Sequence, residues 1–379
     1  MILSFSLAKI NGDRYNFYMR VLIIFNHPAP YKVNAFNELA KYVDLTVLFE
    51  RTKAKDRPDS FYAKNEYNFK HFFLKDGYVG KEGTISKNVK RYIEAQHHEY
   101  DVIIMNGYSH GAEIKAIKYM DKHHIKFGLL INGGVIKKES CLKRKYKTSL
   151  ISKASFYLSP SKASNEYLMY YGAKEEKIYN YPYCNMFKEE FGSSSSEERL
   201  KERKRYNLPK EEKFFINASQ FIERKNNILL MSLFKGRKEH LVLVGDGPLK
   251  KKYERYIKSN NLENVHLIPY LSKKDLFALY KACDAHISLS KQDIFGHTIL
   301  EALACSLPVI SSNKVVSALE YIKDGVNGYV VDLENIDVLQ KAIDEVTAIS
   351  KEKVLESVKN NTFENSAKAI YQVLKDLYE

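Results

Sequence analysis

The chain has 379 residues, of which 45% are hydrophobic, and carries a formal net charge of +14. This length fits two domains of roughly 150–200 residues, and the hydrophobic content excludes an intrinsically disordered chain. Four widely spaced cysteines without a CxxC pair argue against a zinc site or a disulfide framework. No apolar run approaches the ~20 residues that span a bilayer, and the opening MILSFSLA lacks a basic segment, so we expect neither a membrane span nor a signal peptide.

The first part of the chain alternates short β-branched runs with amphipathic stretches, which is typical of a parallel, doubly wound sheet. The strand-like VLIIF begins just after Met19 and Arg20. We therefore expect residues 1–18 to be an N-terminal extension and residues 19–185 to form a Rossmann-like domain. Its predicted strands are 21–25, 44–49, 69–74, 101–105, 127–131 and 155–159.

The alternation breaks at a polar, Ser-rich and charged segment, for which we predict a linker over 186–212. It resumes in a second Rossmann-like domain over 213–360, and a closing helix over 361–379 should pack back on the N-terminal domain. The fold class is therefore α/β, with two Rossmann-like domains facing across a cleft, and ligands should bind at the carboxyl ends of the strands. The predicted strands of the second domain are 213–218, 240–245, 265–269, 285–290 and 307–312.

One segment, SKQDIFGHTILEALACSLPVI (290–310), combines features of a ligand site. Gly296 permits a sharp turn into a helix that begins near His297, and the N–H groups of its first turn would suit a diphosphate. Asp293 in the loop and Glu301 one turn into the helix can accept hydrogen bonds from sugar hydroxyls. The alternative is that Asp293 caps the helix and Glu301 is a solvated acid.

This segment resembles the signature of the retaining glycosyltransferases of family 4, which have the two-domain GT-B fold. The resemblance covers essentially the whole second domain, through VGDGP (244–248), ALYKACDAHISLS (278–290) and DGVNGYVV (324–331). Two positions depart from the family pattern, since Asp293 replaces the commoner Glu and Ser306 replaces Gly. The matching residues are Asp293, Phe295, Gly296, Glu301, Ala302, Ala304, Pro308 and Val309.

The phosphate loop departs further from the family, because Ser219 and Gln220 stand where Gly-Arg is common. The resemblance implies Lys225 as the main diphosphate contact and Arg224 as a substitute for the missing arginine. The alternative is that both are solvated basic residues before a helix.

By the same resemblance, Asp293 would bind the sugar hydroxyls, Glu301 the ribose, and the backbone around Tyr270 the base. His110, in the loop NGYSHGAE, stands where related enzymes place a His near the reacting sugar. The implied catalytic residues are Asp293, Glu301, Lys225 and His110. The implied donor-binding residues are Ser219, Arg224, Lys225, Tyr270, Asp293, Phe295, Gly296, His297, Thr298, Ile299 and Glu301.

The leaving diphosphate would be neutralised by basic side chains and the helix start rather than by a metal ion. No Asp-x-Asp pair stands at a strand end, so we predict no metal site, and no cofactor is expected. The resemblance implies retention of the anomeric configuration, by a same-face substitution in which the leaving phosphate helps to deprotonate the acceptor hydroxyl. GDGP (245–248) is more simply explained as a strand-to-helix turn than as a phosphate contact.

A basic amphipathic stretch, VIKKESCLKRKYKTSLISK (135–153), is typical of a membrane-surface helix. Leu142, Tyr146, Leu150 and Ile151 have spacings that a helix can gather on one side. The alternative is a solvated helix, but the first domain of the family commonly touches the inner leaflet. We therefore expect a cytoplasmic protein peripheral to the inner face of the membrane. The predicted membrane contacts are Lys137, Lys138, Lys143, Arg144, Lys145 and Lys147.

The expected function is transfer of a hexose-type sugar, from a UDP-sugar or a GDP-sugar, to a glycan or lipid-linked acceptor in cell-surface polysaccharide or glycolipid synthesis. A non-catalytic subunit of another glycosyltransferase and a nucleotide-sugar epimerase remain open. A nucleic-acid binder is disfavoured, because the basic residues are spread along the chain without a helix-turn-helix or a stacking module. The sequence does not decide the oligomeric state.

Overall fold

The protein, analysed as a computed structural model, is described over residues 19–54, 61–62, 65–74, 82–293 and 295–378, without the side chains of residues 82–87. The chain divides into two compact units. Unit 1 comprises Met1–Asn185 and Phe363–Glu379, and unit 2 comprises Met186–Thr362. The extension predicted over residues 1–18 lies outside the described residues.

Unit 1 contains a seven-stranded sheet in which every pairing is parallel. Its strands are β1 (Arg20–Phe25), β2 (Asp44–Phe49), β3 (Lys70–Phe73), β4 (Val102–Asn106), β5 (Gly128–Leu130), β6 (Phe156–Ser159) and β7 (Ile178–Asn180). The spatial order is β3-β2-β1-β4-β5-β6-β7. Strand β1 is apolar and buried from Val21 to Phe25 because both faces of the sheet are covered, as parallel sheets require.

The helices of unit 1 connect these strands. Pro30 begins the first of them, where its fixed φ and missing N–H cost nothing. The connecting helices are α1 (Pro30–Leu39), α2 (Glu82–Gln96), α3 (Gly111–Lys122), α4 (Cys141–Ile151) and α5 (Lys162–Tyr170).

Unit 2 contains a six-stranded parallel sheet with the order β10-β9-β8-β11-β12-β13. Its strands are β8 (Phe214–Ala218), β9 (His240–Val244), β10 (Val265–Ile268), β11 (Ala285–Ser288), β12 (Val309–Ser312) and β13 (Gly328–Val331). Its helices are α6 (Ser196–Arg205), α7 (Asn227–Leu233), α8 (Lys250–Ser259), α9 (Lys273–Ala282), α10 (His297–Ala304), α11 (Val316–Tyr321), α12 (Ile336–Val346) and α13 (Lys351–Glu356).

Both sheets reverse their strand order at a central pair of neighbours. In unit 1 the pair is β1 and β4, and in unit 2 it is β8 and β11. Connections leave such a pair in opposite directions, so a crevice opens at the carboxyl ends of the two strands. These two edges are where ligand-binding residues are expected.

The range 186–212, for which the sequence predicts a linker, contains α6 and packs into unit 2. Ser195 and Glu198 form a reciprocal capping box at its start. Arg203 is buried and donates to the carbonyl oxygen of Ala282 at 3.0 Å and to the carboxylate of Asp284 at 2.9 Å. The polar composition of this segment therefore reflects capping and ion pairs rather than a free connection.

The predicted closing helix is present as α14 (Phe363–Tyr378), and it belongs to unit 1. It packs against α1, and Tyr371 stacks on Tyr42 with ring centroids 5.3 Å apart. Phe363, Ala367, Ile370 and Leu374 are buried at the spacing of one helix face.

Candidate functional site

The centre of the candidate site is an ion pair at the carboxyl edge of β8 and β11. A short turn after β8 ends at Lys225, whose Nζ lies 2.5 Å from Asp293 Oδ2 in the loop after β11. Both side chains are largely buried, with 13% and 17% of their surfaces exposed. Arg224, which is more exposed, places its Nη1 3.5 Å from the same oxygen. The crevice expected from the strand order thus contains two cations and one carboxylate.

The electrostatics of this group keep Asp293 ionised. Burial alone would raise its pKa, but the charge of Lys225 and the hydrogen bond that it donates hold the pKa of Asp293 below its usual value. Arg224 adds to the same effect.

Backbone hydrogen bonds hold the loop after β11 on both sides. The N–H of Lys291 donates to the carbonyl oxygen of Arg224 at 2.8 Å, which joins this loop to the one after β8. On the other side, the N–H of Asp293 donates to the carbonyl oxygen of Lys314 at 3.1 Å. Asp293 is therefore fixed in space by elements distant in sequence.

Gly296 makes the turn into α10, as the sequence predicts. Its φ of +88° lies in the left-handed region, and a Cβ there would stand 2.5 Å from Val315 Cγ1. Ser317 donates its hydroxyl to the carbonyl oxygen of Gly296 at 2.9 Å. Both the conformation and the packing therefore require glycine.

The first turn of α10 offers fewer N–H groups than the sequence suggests. The N–H of Ile299 donates to the carbonyl oxygen of Gly296 at 3.1 Å, and its side chain is buried in the core. The N–H groups of His297 and Thr298 precede it in the same turn. Glu301 follows His297 by four residues, so the two half-buried side chains share one side of the helix.

The GDGP turn supports the loop that carries Ser219, a role that the sequence only partly suggests. A Cβ on Gly245 would collide with the carbonyl oxygen of Ser219, and one on Gly247 would lie 2.7 Å from that of Phe221. The N–H of Phe221 donates to the carbonyl oxygen of Asp246 at 2.8 Å. The two glycines thus let two backbones approach closely.

Ser219 is held by two side chains that the sequence analysis does not identify. Its hydroxyl donates to Asn217 Oδ1 at 2.7 Å, and Asn227 Nδ2 lies 3.4 Å from the same hydroxyl. Both asparagines are buried, and a buried polar residue in an apolar strand is the signal that could have identified Asn217.

The predicted aromatic contacts differ in exposure. Phe295 is 4% exposed and packs near Tyr321, so its side chain belongs to the core rather than to a ligand contact. Tyr270, just beyond the end of β10, is 68% exposed, and its ring can stack on a ligand.

In unit 1, His110 lies at the start of α3, just after the carboxyl end of β4. Its side chain is 43% exposed, and its Nδ1 lies 3.7 Å from Glu113 Oε1. Among the described residues, one group of three potential metal ligands lies here: Glu50, His110 and Glu113. Their ligand atoms all lie within 4.8 Å of one another. The guanidinium of Arg51, 3.2 Å from Glu50 Oε2, already supplies a positive charge, which argues against a cation at this point.

The basic helix α4 differs in part from its prediction. Leu150 and Ile151 are buried in the core of unit 1, whereas Leu142 is 81% exposed and Tyr146 is 45% exposed. The four residues keep the spacing of one helix side, but only the end of that side reaches the core. No helix in the described part of the chain is long and apolar enough to cross a membrane.

Lys147 differs from the other basic residues of this stretch because it turns inward. Its Nζ lies 2.8 Å from Glu139 Oε2 and donates to the hydroxyl of Tyr171 at 3.0 Å. Burial opposes its charge, but the hydrogen bonds with Glu139 and Tyr171 raise the pKa of Lys147. The basic residues of the stretch that are exposed are Lys137, Lys138, Lys143, Arg144, Lys145 and Lys153.

Most of unit 2 resembles a known protein family. Residues 198–365 match the model of the family described as "Glycosyl transferases group 1". The match covers somewhat less than half of the chain and includes Lys225, Asp293 and Glu301. The resemblance noted for the second domain is thus supported at the level of this superfamily.

Two curated relatives are similar over part of their length. The "Uncharacterized glycosyltransferase MJ1178" of Methanocaldococcus jannaschii is 29% identical over 147 residues, 39% of this chain and 38% of the relative. An N-acetylgalactosaminyltransferase of Campylobacter jejuni, whose name specifies a diphospho-undecaprenol-linked acceptor, is 26% identical over 172 residues, 43% of this chain and 44% of the relative. The chain therefore spans less than half of the length of each.

The solved structures are similar over nearly the whole chain. The crystal structure of Anabaena Alr3699/HepE in complex with UDP superimposes with a TM-score of 0.74 at 18% identity, covering 95% of this chain and 99% of the other. Together with the two parallel-sheet units and the C-terminal helix, this similarity shows the GT-B fold that the sequence predicts.

Proposed function

We propose that the protein is a retaining glycosyltransferase that moves a hexose-type sugar from a nucleoside diphosphate donor to a glycan or lipid-linked acceptor, in cell-surface polysaccharide or glycolipid synthesis. Unit 2 would bind the donor and unit 1 the acceptor. We favour uridine over guanosine as the base, because UDP-sugars are the commoner donors. The Campylobacter relative, with its lipid-linked acceptor, supports the acceptor class.

The observation that carries this proposal is the Lys225–Asp293 pair beside the start of α10. A nucleotide-sugar presents a diphosphate next to a hydroxylated ring, and the site sets cations and helix-start N–H groups next to a carboxylate. We assign the diphosphate to Lys225, Arg224 and the N–H groups of His297 and Thr298. Asp293 then receives the sugar hydroxyls.

These groups would act mainly on the leaving group. Negative charge grows on the diphosphate as the glycosidic bond breaks, and fixed positive groups there stabilise the transition state more than the ground state. Because this proposal assigns the charge to side chains and helix N–H groups, transfer should be independent of added metal ions. We further propose that His110 contacts the sugar being transferred or its acceptor.

Replacement of Glu301 by Ala tests the assignment of the ribose. We expect transfer to fall by at least about a hundredfold, with the thermal unfolding of the protein little changed, because a half-buried surface carboxylate makes a small contribution to the core. The matched control is Glu254→Ala, an exposed acid on α8. Transfer at near the full rate in the Glu301 variant would overturn the assignment.

A thermal-shift screen against UDP-sugars and GDP-sugars identifies the donor. A ligand that binds the native state raises its apparent stability by RT ln(1 + [L]/Kd), so one donor should stand out. Stabilisation without transfer by the purified protein would favour a non-catalytic subunit. An isomerised free nucleotide-sugar, formed without an acceptor, would favour an epimerase.

We also propose that unit 1 lies against an anionic membrane surface through the N-terminal part of α4 and the segment before it. Exposed apolar side chains, namely Ile136, Leu142 and Tyr146, stand here among exposed lysines. Apolar groups with a basic surround suit the boundary between headgroups and acyl chains. Lys147 is left out of this contact, because Glu139 neutralises it.

A further inference from the structure

Glu113 organises the turn between β4 and α3. Its side chain is 4% exposed, and its Oε2 accepts the backbone N–H groups of Ser109 at 2.7 Å and of His110 at 3.0 Å. The chain must pass close to this carboxylate: Gly107 has a φ of +104°, and a Cβ there would lie 2.7 Å from Glu113 Oε1. The turn is therefore built around a buried carboxylate.

The other oxygen of this carboxylate faces the imidazole of His110. Oε1 lies 3.7 Å from Nδ1, which is beyond hydrogen-bond length but within reach after a small ring rotation. Nδ1 is shielded from solvent although the side chain is 43% exposed, so the exposed part of the ring lies towards Nε2. A carboxylate beside Nδ1 favours a proton on that nitrogen and leaves the Nε2 lone pair directed outward.

Two further charged groups stand near this pair. Glu50, fully buried after β2, has an oxygen within 4.8 Å of the ligand atoms of His110 and Glu113. Its Oε2 is 3.2 Å from Arg51 Nη2, so Arg51 counters much of the charge of Glu50. Glu113 is therefore the carboxylate directed at the imidazole.

We propose that Glu113 is a positioning residue for His110: it orients the ring and fixes the tautomer that presents Nε2 as an acceptor. The catalytic part of this proposal rests on the proposed function, in which His110 contacts the reacting sugar or its acceptor. The tautomer part stands on the geometry of unit 1 alone.

Nitrogen-15 NMR of histidine-labelled protein tests the tautomer without any substrate. In wild type we expect the His110 signals of an Nδ1–H tautomer. In Glu113→Gln the backbone N–H groups of Ser109 and His110 should donate to the amide oxygen. The amide NH2 group then faces Nδ1 of His110 and donates to it. The tautomer should reverse to Nε2–H. An unchanged Nδ1–H tautomer in this variant would falsify the proposal.

Transfer kinetics test the catalytic part. Glu113→Gln should lower kcat by about ten- to a hundredfold, as expected for a misplaced catalytic group, with the KM for the donor near that of wild type. In a His110→Ala background the same change should lower kcat less than about twofold, because Glu113 acts through His110. An equal loss in both backgrounds would show a structural role and overturn the proposal.

The matched control is Glu198→Gln, because Glu198 has the corresponding capping position in α6 and accepts the N–H of Ser195 at 2.8 Å without a neighbouring His. It should leave kcat unchanged, and a loss as large as that in Glu113→Gln would count against positioning. If wild type transfers no sugar but the tautomer reverses, only the proposed function fails. If wild type transfers sugar and neither tautomer nor rate changes, only the positioning fails.

Discussion

Asp293 and Lys225 are opposed charges that restrain each other at the proposed donor site. A phosphate that approaches Lys225 competes with the carboxylate of Asp293, 2.5 Å away, and gains less from Lys225 than it would from an unpaired cation. In the proposed reaction the pair would thus limit how tightly the nucleoside diphosphate product binds. A site that must release its product benefits from such a restraint, because tight ground-state binding does not raise kcat.

Replacement of Asp293 by Asn separates the effect of this carboxylate on UDP binding from its effect on sugar transfer. We expect UDP to bind roughly three- to tenfold more tightly, because Lys225 loses a competing anion, while transfer falls by about tenfold or more as the sugar loses a charged acceptor. Calorimetry and a transfer assay measure the two quantities. Asp344→Asn, which removes an exposed ion pair with Arg237 in the same unit, should change neither. Weaker UDP binding in Asp293→Asn would contradict this account.

His286 is a buried residue whose ring has no hydrogen-bonding use within the described structure. It is fully buried on β11, and neither ring nitrogen has a partner among the described atoms. Burial, with a smaller contribution from the charge of Lys225, lowers its pKa to about 3. The folded state therefore favours neutral His286, and its contribution to stability is present above pH 6.5 and is lost as the pH falls from 6.5 towards 3.

Replacement of His286 by Leu should stabilise unit 2 and reduce its acid sensitivity. At pH 7 we expect a gain of about 1–2 kcal/mol, since unbonded buried polar atoms are removed. At pH 5 the gain should grow by about 2 kcal/mol, at ~1.4 kcal/mol per pH unit. Denaturant unfolding at the two pH values measures this difference, with the exposed His98→Leu as a control. A gain independent of pH would show that His286 does not titrate as inferred.

At the scale of elements, the loop between β11 and α10 depends on glycine at one position. Gly296 starts α10 in the left-handed region and packs against Val315, and Ser317 holds its carbonyl group. A side chain there would displace the helix start and the loop with Asp293 together. The proposed phosphate contacts at the helix start and the proposed sugar contact at Asp293 thus depend on the same backbone turn.

Gly296→Ala should therefore weaken donor binding by about tenfold or more and destabilise unit 2 by ~1–3 kcal/mol. Gly236→Ala is the matched control, because its φ of +75° is similar but a Cβ there would meet no atom within 4 Å. It should show backbone strain of ~1 kcal/mol with unchanged donor affinity. Thermal unfolding with and without the donor measures both effects, and equal loss of affinity in the two variants would contradict a local role.

The sequence predicts the elements of this fold better than their mutual contacts. Alternating apolar runs locate the strands of both sheets except the short edge strands β7 and β13. The segment 290–310 can be interpreted from sequence because Gly296, the two acids and the helix start lie close together in the chain. The contact between Lys225 and Asp293 joins residues 68 positions apart. It exists because β8 and β11 are neighbours, which periodicity alone cannot reveal.

Periodicity also fails where only part of an element reaches the core. Leu142 and Leu150 share one face of α4 by spacing, yet one is exposed and the other buried. Similarly, the polar segment over 186–212 contains a capped helix anchored by buried Arg203, because arginine can satisfy several buried oxygen atoms at once. From composition alone, such a segment is predicted to be a free linker.

At the scale of the whole molecule, the net charge of +14 gives the protein a general attraction to anionic surfaces. The exposed part of α4 and the preceding segment add apolar side chains to that charge. A membrane contact here should therefore depend on position as well as on total charge.

Reversal of Lys137 and Lys143 to Glu should weaken binding to vesicles that contain anionic lipid by roughly thirtyfold or more, at ~1 kcal/mol for each lost basic residue. Reversal of Lys251 and Lys258, exposed on α8 of unit 2, changes the net charge equally and should have a much smaller effect. Sedimentation with vesicles measures both, and high salt should reduce binding. Equal losses in the two double variants would contradict a local membrane contact.

The return of α14 to unit 1 has a consequence for biosynthesis. Residues 186–362 of unit 2 are translated between the two parts of unit 1, so unit 1 is begun first and completed last. Until Phe363–Tyr378 leaves the ribosome, the side of α1 that α14 covers stays open, with Tyr42 unstacked. A nascent chain in which unit 2 has already folded would still present this apolar side to chaperones and proteases.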